Sequence, residues 1–151
     1  MICTFFGHRD TPPEIKTLLR QVISDLIEKQ GVNRFYVGNQ GNFDAMARSL
    51  LAEFEQSHGI IYEIVLAYLP KQEDPICDND HTLLPEGIES VPPRFAIEYR
   101  NKWMIDHSDI VVTYVRHSFG GAAKFKERAK KRDKTIIDFS SLGQGTLNVE
   151  R

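Results

Sequence analysis

Only two cysteines, Cys3 and Cys77, occur in 151 residues, too few for a disulfide framework. No apolar run approaches the ~20 residues of a bilayer span. The N-terminus has neither the basic start nor the small-residue cleavage site of a signal peptide. A dominant sign of charge is also missing. Nineteen Lys and Arg stand against 21 Asp and Glu, a formal net charge of −2, so no global field draws nucleic acid or an anionic membrane to the chain. There is no G-x-G-x-x-G fingerprint, and Gly38-x-x-Gly41 is not a Walker A loop, which sets aside classical dinucleotide and P-loop readings. Internal repeats and low-complexity stretches are absent as well. These absences lead to the expectation of a cytoplasmic globular protein that does not enter a membrane. Its 41% hydrophobic and 26% charged residues are ordinary for that class, and the length suits one domain with a sizeable core.

What the chain does contain is an alternation of short apolar runs and amphipathic stretches. Ile2–Phe6 is bounded by Gly7 and reads as a buried strand. Thr11-Pro12-Pro13-Glu14 fits a capping box with prolines in the first turn. Ile15, Leu18, Leu19, Val22, Ile23, Leu26 and Ile27 then recur at helical spacing, and Gly31 is the expected C-terminal cap. Arg34–Val37 (RFYV) is a second strand, followed by a glycine-rich break and a helix over Phe43 to Gln56. Ile60–Ala67 is a third strand. Tyr68 to Pro93 is long and irregular, the kind of loop that is usually functional or mobile. Arg94 to His107 reads as a helix with Phe95, Tyr99, Trp103 and Met104 as its buried stripe. Asp109–Val115 is a fourth strand, a basic helix ends near Arg132, and Thr135–Phe139 is a fifth. Ser140 to Arg151 reads as a frayed tail. Repeated strand–helix units with continuously apolar strands predict an α/β fold: a Rossmann-like, doubly wound, mainly parallel sheet of about five strands flanked by helices, over residues 1–139, with 140–151 as the tail.

In such a sheet, ligands bind beyond the carboxyl ends of the strands. Three turns there carry glycine and lead into helices. They are Gly7, His8, Arg9 and Asp10 after the first strand, Gly38 to Asn42 with Asp44 after the second, and Arg116 to Gly121 after the fourth. Backbone N–H groups at such helix starts can cradle a phosphate or carboxylate, and Arg9 can add a bidentate grip.

Three segments together resemble the SLOG superfamily, which joins the DprA/Smf proteins, the LOG cytokinin-activating enzymes and many bacterial and phage proteins. They are Gly7-His8-Arg9, VGNQGNFDAMA (Val37 to Ala47) and RNKWMIDHSD (Arg100 to Asp109). The likeness runs to about Phe139 and is nearest to the small stand-alone proteins of the DUF1273/YpsA type. It implies a Rossmann-like domain that binds a nucleotide or a nucleotide-derived ligand, and self-association into a homodimer or larger homo-oligomer; separately, no cofactor and no metal is expected. Carried over by residue, Gly7, His8 and Arg9 match the first loop, and Gly38, Gly41 and Asp44 the second. Arg100, Asn101 and Met104 match an Arg-Asn/Lys-x-x-Met signature, and Gly120 and Gly121 a glycine pair. The LOG enzymes cut the N-glycosidic bond of a nucleoside monophosphate, and by this likeness Arg100 and Glu127 fall on catalytic positions. The chain departs from their P-G-G-x-G-T-x-x-E pattern at Phe119, Ala123 and Lys124. That removes a close backbone approach and a hydroxyl, and favours binding over hydrolysis. The DprA branch implies a third reading, a DNA-processing accessory, against which the near-neutral charge stands.

Several residues keep two readings at this stage. Glu127 is an acid or one charge of a solvated helix face. Arg100 points into the site or lies on the surface with its stem on an aromatic ring. His8 contacts a ligand or caps the next helix. Asp44 holds a ribose or complements the positive end of its helix. Asp106 and Asp109 read as turn formers. Cys77 to His81 is spaced too closely and offers too few ligands for a common zinc site. Cys3 is expected to be an inert core thiol. The apolar stripes of Phe43–Phe54 and Phe95–Trp103 serve either an interface between copies or the sheet.

Overall fold

The computed structural model of the chain describes residues 1–69, 80–115, 121–138 and 148–150. In chain order these form β1 (Ile2–Gly7), α1 (Ile15–Gln30), β2 (Arg34–Val37), α2 (Gly41–His58), β3 (Ile61–Val65) and β4 (Thr82–Leu83). Then follow α3 (Ala96–Asp106), β5 (Ile110–Tyr114), α4 (Gly121–Lys131), β6 (Thr135–Asp138) and β7 (Asn148–Glu150), with short 3-10 turns at Ile88–Ser90 and Pro93–Phe95. The sheet order is β4-β3-β2-β1-β5-β6-β7. The first six strands are parallel, so the fold is α/β and Rossmann-like.

Two strands exceed the expected five. Thr82 and Leu83, inside the segment expected to be irregular, pair in parallel with Ile64 and Val65. Asn148–Glu150, expected to be part of a frayed tail, runs antiparallel to β6. Neither shows as periodicity, because a strand of two or three residues is too short to display a period of two.

Strand alternation divides the core into two layers. One face of the sheet, including Cys3, Phe5, Phe35, Val37 and Val112, packs against the apolar stripes of α1 and α2. The other face, with Phe6, Tyr36, Val111 and Ile136, packs against Met104 and Ile105 of α3 and Phe125 and Ala129 of α4. The stripe of α2, from Phe43 to Phe54, is thus consumed by the core rather than left for another copy. At the start of α3, Phe95 and Ile97 stay exposed. Among the described residues no helix is long and apolar enough to cross a membrane.

The α1 start departs from the capping box. Glu14 occupies the cap position without a side-chain bond. The Thr11 hydroxyl instead donates to the His8 carbonyl at 2.6 Å, closing the turn after β1. Pro12 and Pro13 lend their carbonyls to the N–H groups of Ile15 and Lys16, so the first helical bonds form without help from Thr11.

The aromatic stripe expected on α3 is also displaced. Its buried residues are Ala96, Arg100, Met104 and Ile105, while Phe95 is exposed and Tyr99 and Trp103 sit at the margins of two clusters. Ala96, Arg100 and Met104 recur every four residues and so define one helix face. Arg100 therefore stands at the centre of the buried face, not beside it.

Candidate functional site

The strand order reverses direction between β1 and β5, and the crevice at such a switch point is where open α/β sheets bind ligands. A cavity of about 250 Å³ opens beside the carboxyl ends of β1 and β2. His8, Arg9, Gln40, Asp44, Arg100 and Asn101 supply its polar wall, and Phe5, Phe6, Ile97, Met104 and Phe125 its apolar side.

Of the residues singled out in the sequence, Gly7, His8, Arg9, Asp44, Arg100 and Asn101 line this cavity together. Gly38 touches two of them. Gly120 lies outside the described residues, and Gly121 opens α4. Glu127 is not brought to the cavity. It lies on a separate, basic cleft of α3 and α4, with its side chain exposed and 3.8 Å from Lys130. Asn39 and Gln40 lie in the turn expected at the site, but as uncharged side chains they carried no individual role in the sequence reading.

The glycines have packing reasons to be glycine. A Cβ on Gly7 would fall 2.2 Å from Phe43 Cγ, so only a bare α-carbon lets α2 settle on the end of β1. Gly41 has φ +83°, and a Cβ there would lie 2.6 Å from the α-carbon of Arg9. The turns after β1 and β2 are therefore wedged together. The wedge also fills donors expected to be open for phosphate. The Asn42 N–H donates to the Arg9 carbonyl at 2.9 Å, and the Gln40 N–H donates to Asp44 Oδ2 at 3.0 Å. Two N–H groups at the start of α2 are thus satisfied from within.

Arg100 is 1% exposed, a rare state for a guanidinium. Its Nε donates to Asn101 Oδ1 at 2.7 Å, and its Nη1 donates to the Val65 carbonyl at 2.8 Å and to Asn39 Oδ1 at 3.2 Å. All three acceptors are neutral. Nη2 meets no acceptor among the described residues. Burial pulls the Arg100 pKa below its ordinary value, opposed by the charge of Asp44.

Asp44 is buried as well. Loss of water pushes its carboxyl up to about 6, against the pull of the Gln40 N–H and of Arg100 and Arg48. Arg48 reaches the same corner, where its Nη1 donates to the Gly38 carbonyl at 3.1 Å. Asp44 thus sits in the cavity wall with a pKa close to neutrality, a property enriched at functional sites.

The remaining candidates serve the scaffold. Asp109 Oδ2 accepts the Ile2 N–H at 2.9 Å, and Asp106 pairs with Arg128 at 2.9 Å. His81 stacks on Tyr62 and meets Glu55 at 2.8 Å, while Cys77 lies outside the described residues. Cys3 is fully buried, and burial raises its thiol well above the ordinary range. Among the described residues no three His, Cys, Asp or Glu side chains gather as a metal ion would need.

No protein-family model matches the chain, and no curated protein matches it either.

Proposed function

We propose that the chain is a SLOG-type domain that binds a nucleotide or nucleotide-derived phosphate in this cavity. The observation that supports it most is Arg100. A guanidinium taken out of water is costly unless its donors and its charge are answered. Among the described residues its bonds, made by Nε and Nη1, go to neutral acceptors, no carboxylate forms an ion pair with it, the Nη2 amino group takes part in none of these bonds, and the side chain lines the cavity. A phosphate oxygen is the natural complement of that amino group. Arg9, exposed at the mouth, is a second cation for it. In this reading Arg100 and Arg9 add a side-chain grip to the remaining N–H groups of the glycine-bearing turns. A cavity of about 250 Å³ lies just below the usual ~300–1,000 Å³ of small-molecule sites. It suits a sugar phosphate or one nucleoside monophosphate rather than a dinucleotide.

A phosphoribohydrolase is the second reading, and the raised Asp44 favours it. A carboxyl near pH 6 in a cavity wall can exchange a proton at neutral pH. In this reading Asp44, not Glu127, is the acid–base group.

Thermal denaturation against a panel of nucleosides, nucleoside phosphates and sugar phosphates tests the proposal. Bound ligand at a hundred times its Kd stabilises by about 2.7 kcal/mol, a shift of several degrees. Arg9→Ala should reduce it. If no phosphate in a broad panel moves the melting temperature, the binding function is wrong. Free base released from a nucleoside monophosphate, and no longer released in Asp44→Asn, selects the hydrolase reading. Mass spectrometry of small molecules that co-purify with the protein would name the ligand directly.

A further inference from the structure

We infer that an anion entering this cavity is accompanied by a proton taken up from solvent by the Asp44 carboxylate. The inference rests on the binding function proposed above and adds how the site is regulated. Its ground is the arrangement around Gly38. The place a Cβ would take on Gly38 is 2.6 Å from Asp44 Oδ2 and 3.1 Å from Arg100 Nη1. The carboxyl and the guanidinium are therefore less than ~6 Å apart, close enough to interact strongly where water is scarce. They form no direct ion pair, since Nη1 is held by Val65 and Asn39 and Oδ2 by the Gln40 N–H.

The other charged or titratable groups facing this corner are Arg48 of α2, His8 and Arg9 of the turn after β1, and Tyr68 beyond β3. At neutral pH, ionised Asp44 is the carboxylate that acts most on Arg100 among the described residues. A ligand anion on Arg100 Nη2 takes over that role. It also places a second negative charge beside a carboxylate that burial has already made easy to protonate. Two like charges so close, with little water between them, do not both persist. The carboxylate accepts a proton, becomes a neutral acid, and turns from a repelling group into a donor toward the bound anion. The site thereby loads one anion and one proton together, and it binds more tightly as pH falls.

Inorganic sulfate is the probe, because its charge is fixed between pH 5.5 and 8. Its affinity for the full chain should fall by up to tenfold per pH unit above Asp44's pKa. Asp44→Asn should flatten that profile and hold the affinity seen at low pH. Calorimetric titration of the unaltered protein, in two buffers of different ionisation heat, should register about one proton absorbed per sulfate at pH 7.5 and fewer at pH 5.5. This second measurement stands even if the variant fails to fold. Sulfate that binds equally well at every pH, with no proton absorbed, overturns the coupling and leaves the anion site intact. A pH dependence that survives Asp44→Asn and disappears in His8→Asn also overturns it, by assigning the proton to the imidazole. Sulfate that binds at no pH overturns the anion site itself.

Discussion

Arg100→Ala should lower the free energy of unfolding by about 3 kcal/mol or more, since each buried acceptor left without its donor costs about 1–3 kcal/mol. The substitution strands three acceptors at once: the Val65 carbonyl, Asn39 Oδ1 and Asn101 Oδ1. It also empties the centre of the buried face of α3 and removes a cation that steadies Asp44. Urea denaturation at pH 7 is the measurement. Arg100→Lys should recover only part of the loss, because one ammonium cannot reproduce a planar fork that reaches acceptors on three segments. A loss under 1 kcal/mol for Arg100→Ala would mean that the side chain lies in water rather than in the core.

The second large effect has the opposite sign. The Asp44 carboxyl is raised to about 6 in the folded chain from an ordinary 3.8, so the folded state holds its proton more tightly than the unfolded state. The favourable contribution is complete below pH ~4 and is lost as pH rises through about 6. Each tenfold change in proton affinity is worth roughly 1.36 kcal/mol, so above pH 7 the ionised carboxylate leaves the folded state about 3 kcal/mol worse off. Asp44→Asn keeps an acceptor for the Gln40 N–H but cannot ionise. Relative to the unaltered chain, the variant should therefore gain about 2.4 kcal/mol between pH 4 and pH 8. Paired denaturation curves at both pH values check this, since any pH-independent offset cancels between them. A gap that is the same at both pH values would show that Asp44 titrates normally. A gap that widens as expected would identify a carboxyl retained at a cost to stability, as functional groups commonly are.

The five longer parallel strands and all four helices could be read from the chain because each has enough residues for a stripe to repeat. The buried leucines and isoleucines of α1 are the clearest case. β4 and β7 escaped because their short pairings are decided by neighbouring strands rather than by their own residues. On α3 the aromatic residues misled. Ring size suggested burial, but the face that meets the sheet is set by Ala96, Arg100 and Met104, and a small residue allows the helix to lie close.

The polar wall of the cavity was legible in outline, since the carboxyl ends of parallel strands define it before any contact is known. What could not be read was which groups remain open. Glycines and N–H groups after β2 suggested a phosphate cradle, and Arg9 and Asp44 occupy two of those donors themselves. Glu127 shows the same limit on a helix. Spacing along the chain brought it to the position the resemblance implies, but it stands about half a helical turn from Phe125, which lines the cavity, and its carboxylate lies by Lys130 instead.

The strand order also dictates when the binding cavity can exist during folding. β1 is flanked by β2 on one side and by β5 on the other, and the bond from the Ile2 N–H to Asp109 spans 107 residues of sequence. Loop closure over such a distance is entropically slow, and sheets built from distant pairings fold later than locally paired ones. As the chain leaves the ribosome, β1 can pair with β2 long before β5 has been made. During that interval one edge of β1 stays uncovered, and Arg100 has not yet reached Asp44. The cavity is thus a late product of folding. The half-formed sheet that precedes it is the stage at which self-pairing between nascent chains is most to be expected.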